Sequence, residues 1–176
     1  MFAIAGIGMA ACVAGWLLST RVDETSQNGE GLNGMRLTDL NGKPRSIAEW
    51  KGRVLAINFW ATWCPPCREE IPDLVISRDK LHASGVEFIG IAFDQAVKVA
   101  EFVRFVRISY PVLLADSAAL GVVKAIGNPS GGLPFTVVLD RKGEIVHRNL
   151  GLVTRKKIED QVTSVLAGGR PAGIRR

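Results

Sequence analysis

The sequence has few of the side chains that cross-link small folds or bind metals. Its 176 residues include three cysteines, two histidines and three methionines. Three cysteines are too few for a disulfide-bonded scaffold. A zinc site built on Cys64 and Cys67 would need two more ligands, and the sequence has no second Cys-x-x-Cys to supply them. We therefore expect no bound metal.

Concentrated charge of one sign is also scarce. The net charge is +5, and the basic residues are scattered apart from Arg155–Lys157 and a group at the C-terminus, Arg170, Arg175 and Arg176. This scatter argues against nucleic acid as a partner. The sequence shows no internal repeat, and its length fits one domain with a short appendage.

The N-terminal segment is uncharged from residue 2 to residue 20. At about 1.5 Å of rise per residue, such a helix comes close to spanning a bilayer core of about 30 Å. We interpret residues 1–20 as a membrane anchor, with a cleaved signal segment as the alternative. Cys12 follows Met9-Ala10-Ala11, which resembles an imperfect lipobox, but a small apolar residue within the span is the simpler interpretation.

The rest of the chain divides by composition. Residues 21–34 are polar and glycine-rich and predict a flexible linker, residues 35–167 predict the folded domain, and residues 168–176 predict a basic tail. Asn41-Gly42 between short alternating stretches predicts a β-hairpin at the start of the domain.

Apolar runs alternate with helical patterns after this hairpin. Strands are predicted at 54–60, 86–93, 112–115, 135–139 and 144–150, and helices at 64–84, 96–108 and 117–126, with a last helix beginning at a Thr154 cap. Strands this apolar are typically buried on both faces and need helices on both sides of the sheet. The pattern predicts an α/β fold with a central mixed sheet.

The cysteine pair lies where a strand gives way to a helix. Cys64 falls at the helix start, where Pro65 is tolerated because its missing N–H is not needed. Free N–H groups and the positive end of the helix dipole stabilise a thiolate at such a position. Cys67 lies one turn later on the same face. The pair is therefore predicted to be a redox-active disulfide that needs no other cofactor, with Cys64 attacking and Cys67 resolving the mixed disulfide.

Glu70 is the second candidate catalytic residue. On a helix it lies about 60° from Cys67 and about 40° from Leu74, on the buried stripe, whereas Glu69 faces the other way. A carboxyl group in an apolar setting has a raised pKa and can exchange a proton with the resolving thiol. The alternative is a solvated acid that favours the start of the helix.

Two segments resemble a known family. The run from Ala56 to Pro72, which contains Trp63-Cys64-Pro65-Pro66-Cys67, resembles the active-site segment of the TlpA/ResA-like branch of thioredoxin-fold proteins. Gly132-Leu133-Pro134-Phe135 and the strand after it resemble the second signature of that branch. The similarity covers about residues 35–167 and implies a thioredoxin-like fold and thiol-disulfide oxidoreductase activity.

The resemblance also implies roles for particular residues. It implies a cis peptide bond before Pro134, which would place the backbone of Leu133 beside the disulfide to pair with an extended substrate. Pro72 matches the proline that kinks the active-site helix of the family, and Glu70 matches its active-site glutamate. Asn58 stands where ordinary thioredoxins carry a buried aspartate.

We expect the substrate to be bound around the disulfide. Trp63, Pro65 and Pro66 are predicted to line the docking surface together with Leu133 and Pro134. For Trp63 a purely structural role is the alternative, because aromatic side chains fill cores by default.

The expected function is reduction of disulfides in exported proteins, such as apocytochromes c awaiting haem. The implied partners are these disulfide-containing clients, a membrane thiol-electron transporter as electron donor, and the membrane itself through residues 1–20. The implied location is the bacterial cell membrane, single-pass, with the domain on the periplasmic or extracytoplasmic side.

Two other functions fit the sequence less well. A thiol peroxidase typically carries Thr-x-x-Cys, but Thr62 is two residues before Cys64 rather than three. A non-enzymatic copper or client chaperone would need further soft ligands, and Met35 is the only methionine after the N-terminal segment.

Overall fold

The computed structural model describes residues 30–169. The helices are α1 (Glu30–Asn33), α2 (Pro65–Leu81), α3 (Ala96–Val106), α4 (Ala119–Ala125) and α5 (Arg155–Leu166), with 3₁₀ turns at Ile47–Trp50 and His82–Ser84. The strands are β1 (Leu37–Asp39), β2 (Pro44–Arg45), β3 (Val54–Trp60), β4 (Val86–Ala92), β5 (Val112–Ala115), β6 (Phe135–Leu139) and β7 (Ile145–Leu150).

The described strands form one mixed sheet in the order β2-β1-β5-β4-β3-β6-β7. The central strands β3, β4 and β5 are parallel, while β6 runs antiparallel to β3 and pairs with β7. Every residue of β3, β4 and β6 is buried. These strands are therefore covered on both faces, as their continuous apolar sequences require.

The two faces of the sheet carry separate hydrophobic layers. On one face Trp60, Ile71, Val99 and Ile158 pack together, which brings α2, α3 and α5 onto the sheet. On the other face the buried layer is formed from α1, the first 3₁₀ turn, α4 and the opposite sides of the strands; it includes Leu32, Ile47, Phe59, Ile91 and Val123. The helix that carries the cysteines is thus fixed by its buried stripe.

The predicted mixed α/β sheet is confirmed. Each predicted strand and helix is present, with ends that differ by a few residues, and the N-terminal hairpin pairs Leu37 with Arg45. The final hairpin turns through Asp140 to Gly143, where the N–H of Gly143 donates to the carbonyl of Asp140 at 2.9 Å.

Ordered secondary structure begins before residue 35, the predicted start of the folded domain. Helix α1 lies within the stretch predicted as a flexible linker, and its Leu32 is fully buried. A Cβ on Gly31 would touch Val122 and Ile126, so α1 lies directly against α4 and the residue that follows it. The polar composition of residues 21–34 hid this contact, because a single buried leucine gives no periodic pattern.

Several predictions fall on residues that the structure does not describe. These are the membrane segment 1–20 with Cys12, most of the linker, and the tail from residue 170 onward. Between residues 30 and 169, no helix combines the length and apolar character needed to cross a membrane.

Candidate active site

The cysteine pair is a disulfide at the start of α2. The two sulfur atoms are 2.04 Å apart, and Cys64 is the N-cap residue of the helix. Pro65 and Pro66 occupy the first two helical positions, where no intrahelical N–H bond is required. The N–H of Cys67 points back at Sγ of Cys64 over 3.3 Å. A thiolate at Cys64 would therefore be stabilised by that N–H and by the positive end of the helix dipole.

The two sulfurs differ in their access to solvent. Cys64 is 4% exposed and Cys67 is fully buried. Cys64 is therefore the more exposed of the two cysteines, and its attack on a client stays a prediction. Cys67 is left to act inside the protein.

Glu70 is buried one turn after Cys67, as predicted, whereas Glu69 is exposed. Its Oε2 accepts the backbone N–H of Val153 at 2.8 Å, and its Oε1 accepts Nδ2 of Asn58 at 2.7 Å. Burial raises the pKa of Glu70 to about 7, and the two hydrogen bonds partly offset that rise. A carboxyl group with this pKa can both take up and release a proton near neutral pH.

Asn58 joins Glu70 to the neighbouring strand. Its Nδ2 donates a second hydrogen bond, of 2.9 Å, to Oγ1 of Thr136 on β6. Asn58 and Thr136 are directly paired across β3 and β6, and both are buried. Each is the polar residue of a strand whose other residues are hydrophobic.

The second signature segment lies beside this network. The Leu133–Pro134 peptide bond is cis, as the resemblance implied. The carbonyl of Pro134 accepts a hydrogen bond from the N–H of Gly151 at 2.9 Å. The side chain of Leu133 is half-buried. Asn58 thus connects Glu70 on the cysteine helix to Thr136 on the strand that Pro134 precedes.

A buried side chain shapes the loop before Leu133. Asn128 is fully buried; its Nδ2 donates to the carbonyl of Gly132 at 2.7 Å and its Oδ1 accepts the N–H of Gly132 at 3.2 Å. Oδ1 also accepts the hydroxyl of Ser130 at 3.0 Å. These bonds hold the five-residue segment from Asn128 to Gly132 that leads into the cis-proline.

An apolar surface borders the disulfide on the other side. Trp63 is 66% exposed, and Phe105 at the end of α3 is 82% exposed. A groove of about 370 Å³ begins at Pro65 and runs between α2 and α3; it is lined by Pro65, Arg68, Glu69, Pro72, Phe102, Phe105 and Val106. The exposure of Trp63 argues against the purely structural role considered for it, and Pro72 lies inside α2 as predicted.

The connector before Cys64 is fixed by an aspartate that the sequence did not single out. Both the backbone N–H and the hydroxyl of Thr62 donate to Oδ2 of Asp94, which follows β4. The N–H of Gln95 donates to the other oxygen of Asp94 at 2.7 Å. Asp94 therefore fixes the segment on which Cys64 is presented.

Sequence reasoning missed the roles of Thr136, Asn128, Asp94 and Val153. A polar residue inside a buried strand must find a partner, so Thr136 in Phe135–Leu139 and Asn58 in Val54–Trp60 carried a usable signal. Val153 contributes only its backbone N–H, which no side-chain pattern reveals.

A disulfide at the start of a helix, beside a cis-proline, is a site that can exchange disulfides with other thiols. The protein is a thiol-disulfide oxidoreductase with a thioredoxin-like fold. The chain belongs to the Redoxin family, whose model matches residues 23–166.

Named relatives agree with this class. The chain is 31% identical to a thiol-disulfide oxidoreductase ResA of Bacillus cereus over 144 residues, which are 81% of this chain and 80% of the relative. A thiol:disulfide interchange protein of Chlorobium tepidum TLS is similar in structure, with a TM-score of 0.66, 31% identity, and coverage of 75% of this chain and 94% of the other. A secreted thiol-disulfide isomerase of Corynebacterium glutamicum has a TM-score of 0.68, 26% identity, and coverage of 76% and 84%.

Proposed function

We propose that this oxidoreductase works as a reductase of disulfides in exported proteins, apocytochromes c among them, on the extracytoplasmic side of the membrane. The observation that carries the proposal is the arrangement of three residues: Cys64 caps the helix and is 4% exposed, while the fully buried Cys67 and Glu70 lie one turn apart on the buried face of α2. Such a pair can open a client disulfide and then close on itself.

The reaction begins with reduced protein. The Cys64 thiolate attacks one sulfur of the client disulfide, which forms a mixed disulfide and releases the first client thiolate. Cys67 then gives its proton to the carboxylate of Glu70 and attacks Sγ of Cys64. This step forms the Cys64–Cys67 disulfide, breaks the mixed disulfide and releases the second client thiolate.

Protons and electrons balance over the cycle. Two electrons pass from the cysteine pair to the client, and each client thiolate takes up one proton. The proton held by Glu70 returns to solvent or to a client thiolate, and its pKa of about 7 suits either direction of transfer. An external dithiol then restores the two thiols by the reverse exchange.

The proposed location rests on the N-terminal segment and on relatives. Residues 2–20 lack charge and would tether the domain to the membrane. The similar isomerase of Corynebacterium glutamicum is a secreted protein. A membrane thiol-electron transporter would supply the electrons, since a tethered domain meets donor and client at one surface.

Client binding is proposed at the edge where the disulfide meets the cis-proline segment. An extended polypeptide would pair with the backbone of Leu133, and its apolar side chains would rest on Trp63 and Pro65. Apocytochrome c fits as a client because it must present two free thiols before haem attachment, as the family resemblance implies.

The experiment that tests the direction is a measurement of reduction potential. The full chain, purified in detergent, would be equilibrated in glutathione and dithiothreitol buffers and its thiols trapped by alkylation, with Cys64→Ser as the control. A value near about −270 mV, that of thioredoxin, supports a reductase. A value near about −120 mV would make the protein an oxidant and overturn the proposed direction.

A further inference from the structure

The amide of Asn58 lies between the catalytic helix and the strand that follows the cis-proline. Asn58 is 2% exposed, and Thr136 opposite it is fully buried. One N–H of the amide donates to Oε1 of Glu70 at 2.7 Å and the other to Oγ1 of Thr136 at 2.9 Å. Both hydrogens of the amide are therefore used.

We propose that Asn58 is a positioning residue for proton transfer, which holds the carboxyl group of Glu70 in place on the buried side of the cysteine helix, and that Thr136 anchors the amide by accepting its second N–H. The inference rests on the proposed role of Glu70 as the group that exchanges a proton with Cys67. Neither Asn58 nor Thr136 is required to touch the client.

The carboxylate of Glu70 selects the donor end of the amide, and Thr136 anchors that end. A side-chain amide has a donor end and an acceptor end, and only the donor end can bind an ionised carboxylate. Because Oγ1 of Thr136 accepts the second N–H, the amide nitrogen is drawn to the position between the two oxygens. The amide oxygen Oδ1 is buried without a partner among the described residues, so this orientation is maintained by the nitrogen alone.

An amide suits this position because it is neutral at every physiological pH. It stabilises the ionised form of Glu70 through a hydrogen bond without adding charge, and so offsets part of the effect of burial on that carboxyl group. A carboxylate in its place would repel the charge of Glu70. Asn58 thereby keeps the proton exchange of Glu70 within the neutral range.

The other ionisable groups around Glu70 do not replace this contact. Cys64 and Cys67 lie on the same helix and are joined to each other. Among the described residues outside α2, Tyr110 interacts electrostatically with Glu70. Burial, and then the charge of Glu70, raise the pKa of Tyr110, so its hydroxyl stays neutral near pH 7.

The test compares pH–rate profiles for insulin reduction by the full chain and four variants. Asn58→Ala removes the bond to the charged carboxylate, and the inflection assigned to Glu70 is expected to move upward by roughly one pH unit. Asn58→Asp adds a like charge and is expected to move it further in the same direction. Thr136→Val, which is nearly isosteric, frees the amide and should give a smaller upward shift.

Asn149→Ala is the matched control. Asn149 is a buried asparagine on β7, paired with Thr136 in the sheet, whose amide bonds to Gln161 and not to Glu70. The variant therefore loses a comparable amide from the same region without removing a bond to the carboxyl group. Its inflection should coincide with that of the unmodified protein. Thermal unfolding of each variant establishes that the compared proteins are folded.

A second measurement follows the carboxyl group without turnover. Carbon-13 NMR of the glutamate carboxyls, with the Glu70 signal assigned through Glu70→Gln, reports its titration in the oxidised protein. Unshifted titration in both Asn58→Ala and Thr136→Val would overturn the inference. If Glu70→Gln loses the kinetic inflection while the Asn58 and Thr136 variants keep it at the original pH, the positioning role of Asn58 is refuted and the proton role of Glu70 stands. An inflection that survives Glu70→Gln would instead refute the proposed proton role of Glu70.

Discussion

The backbone N–H of Val153 donates a hydrogen bond of 2.8 Å to Oε2 of Glu70, across 83 residues of sequence. Val153 belongs to the segment between β7 and α5, and Gly151 in the same segment donates its N–H to the carbonyl of Pro134 at 2.9 Å. The carboxyl group proposed to exchange a proton with Cys67 is therefore linked through two backbone contacts to the segment where the client is proposed to bind.

Burial of Glu70 makes folding depend on pH. Its pKa is about 7 in the folded protein and 4.5 without burial, so the folded state binds the proton more tightly. The stabilising contribution is complete below about pH 4.5 and is lost as the pH rises through about 7, with a total of about 3 kcal/mol. Glu70→Gln should remove this dependence in urea unfolding measured on the oxidised protein from pH 4 to pH 8.

The neighbouring Glu69→Gln is the matched control for that series, because Glu69 is exposed on the same helix. It should follow the unmodified protein at every pH. Parallel curves for Glu70→Gln and the unmodified protein would contradict the buried, protonated carboxyl group.

The unequal access of the two cysteines predicts different behaviour on substitution. Cys67→Ser should accumulate a stable mixed disulfide with insulin, since no second thiol can release the client from Cys64. Cys64→Ser should form none, because Cys67 is fully buried. Mass spectrometry of the non-reduced proteins distinguishes the two, and adduct formation at Cys67 in Cys64→Ser would reverse the assignment.

Asn128 is expected to influence client binding rather than chemistry. Asn128→Ala removes the side-chain bonds to both the N–H and the carbonyl of Gly132, directly before Leu133. We expect KM for insulin to rise severalfold while kcat and the reduction potential stay near their original values. The lost bonds should lower the free energy of unfolding by about 1 to 3 kcal/mol. A fall in kcat with KM unchanged would argue that the loop acts on the reaction itself.

An ionic cluster far from the disulfide should affect stability alone. Glu87, at the start of β4, is buried and contacts Nε of Arg78 at 3.3 Å and Nδ1 of His82 at 3.2 Å. Its strand neighbour Leu55 is at the end of β3 opposite to the cysteines. Glu87→Gln removes the buried carboxylate beside Arg78 and His82 and leaves Arg78 paired with Asp79 alone, so it should cost about 1 to 3 kcal/mol in urea unfolding. Its activity at 25 °C should be unchanged, and a large loss in the still-folded variant would contradict this separation.

Periodicity and motif spacing predicted most of the fold. The apolar run at 54–60 and the proline after Cys64 were enough to place the disulfide at a strand-to-helix junction, and helical geometry separated buried Glu70 from exposed Glu69. These features depend on local sequence, which is why they could be predicted from it.

The contacts that complete the site are non-local. Asn58 meets Thr136 only because β3 and β6 pair in one register, and Thr62 meets Asp94 because both follow the ends of neighbouring strands. Burial of Leu32 likewise depends on where α4 lies. Sequence patterns identify which residues need partners, but the strand register determines which partners they have.

In the proposed cycle, the complete burial of Cys67 behind Cys64 also has a kinetic consequence. Electrons enter and leave through the same sulfur, so the donor and the client must occupy one position in turn and compete for it. Such an enzyme shuttles between two stable forms and obeys ping-pong kinetics. An excess of either partner then slows the reaction of the other, so the ratio of donor to client concentration is expected to control the flux.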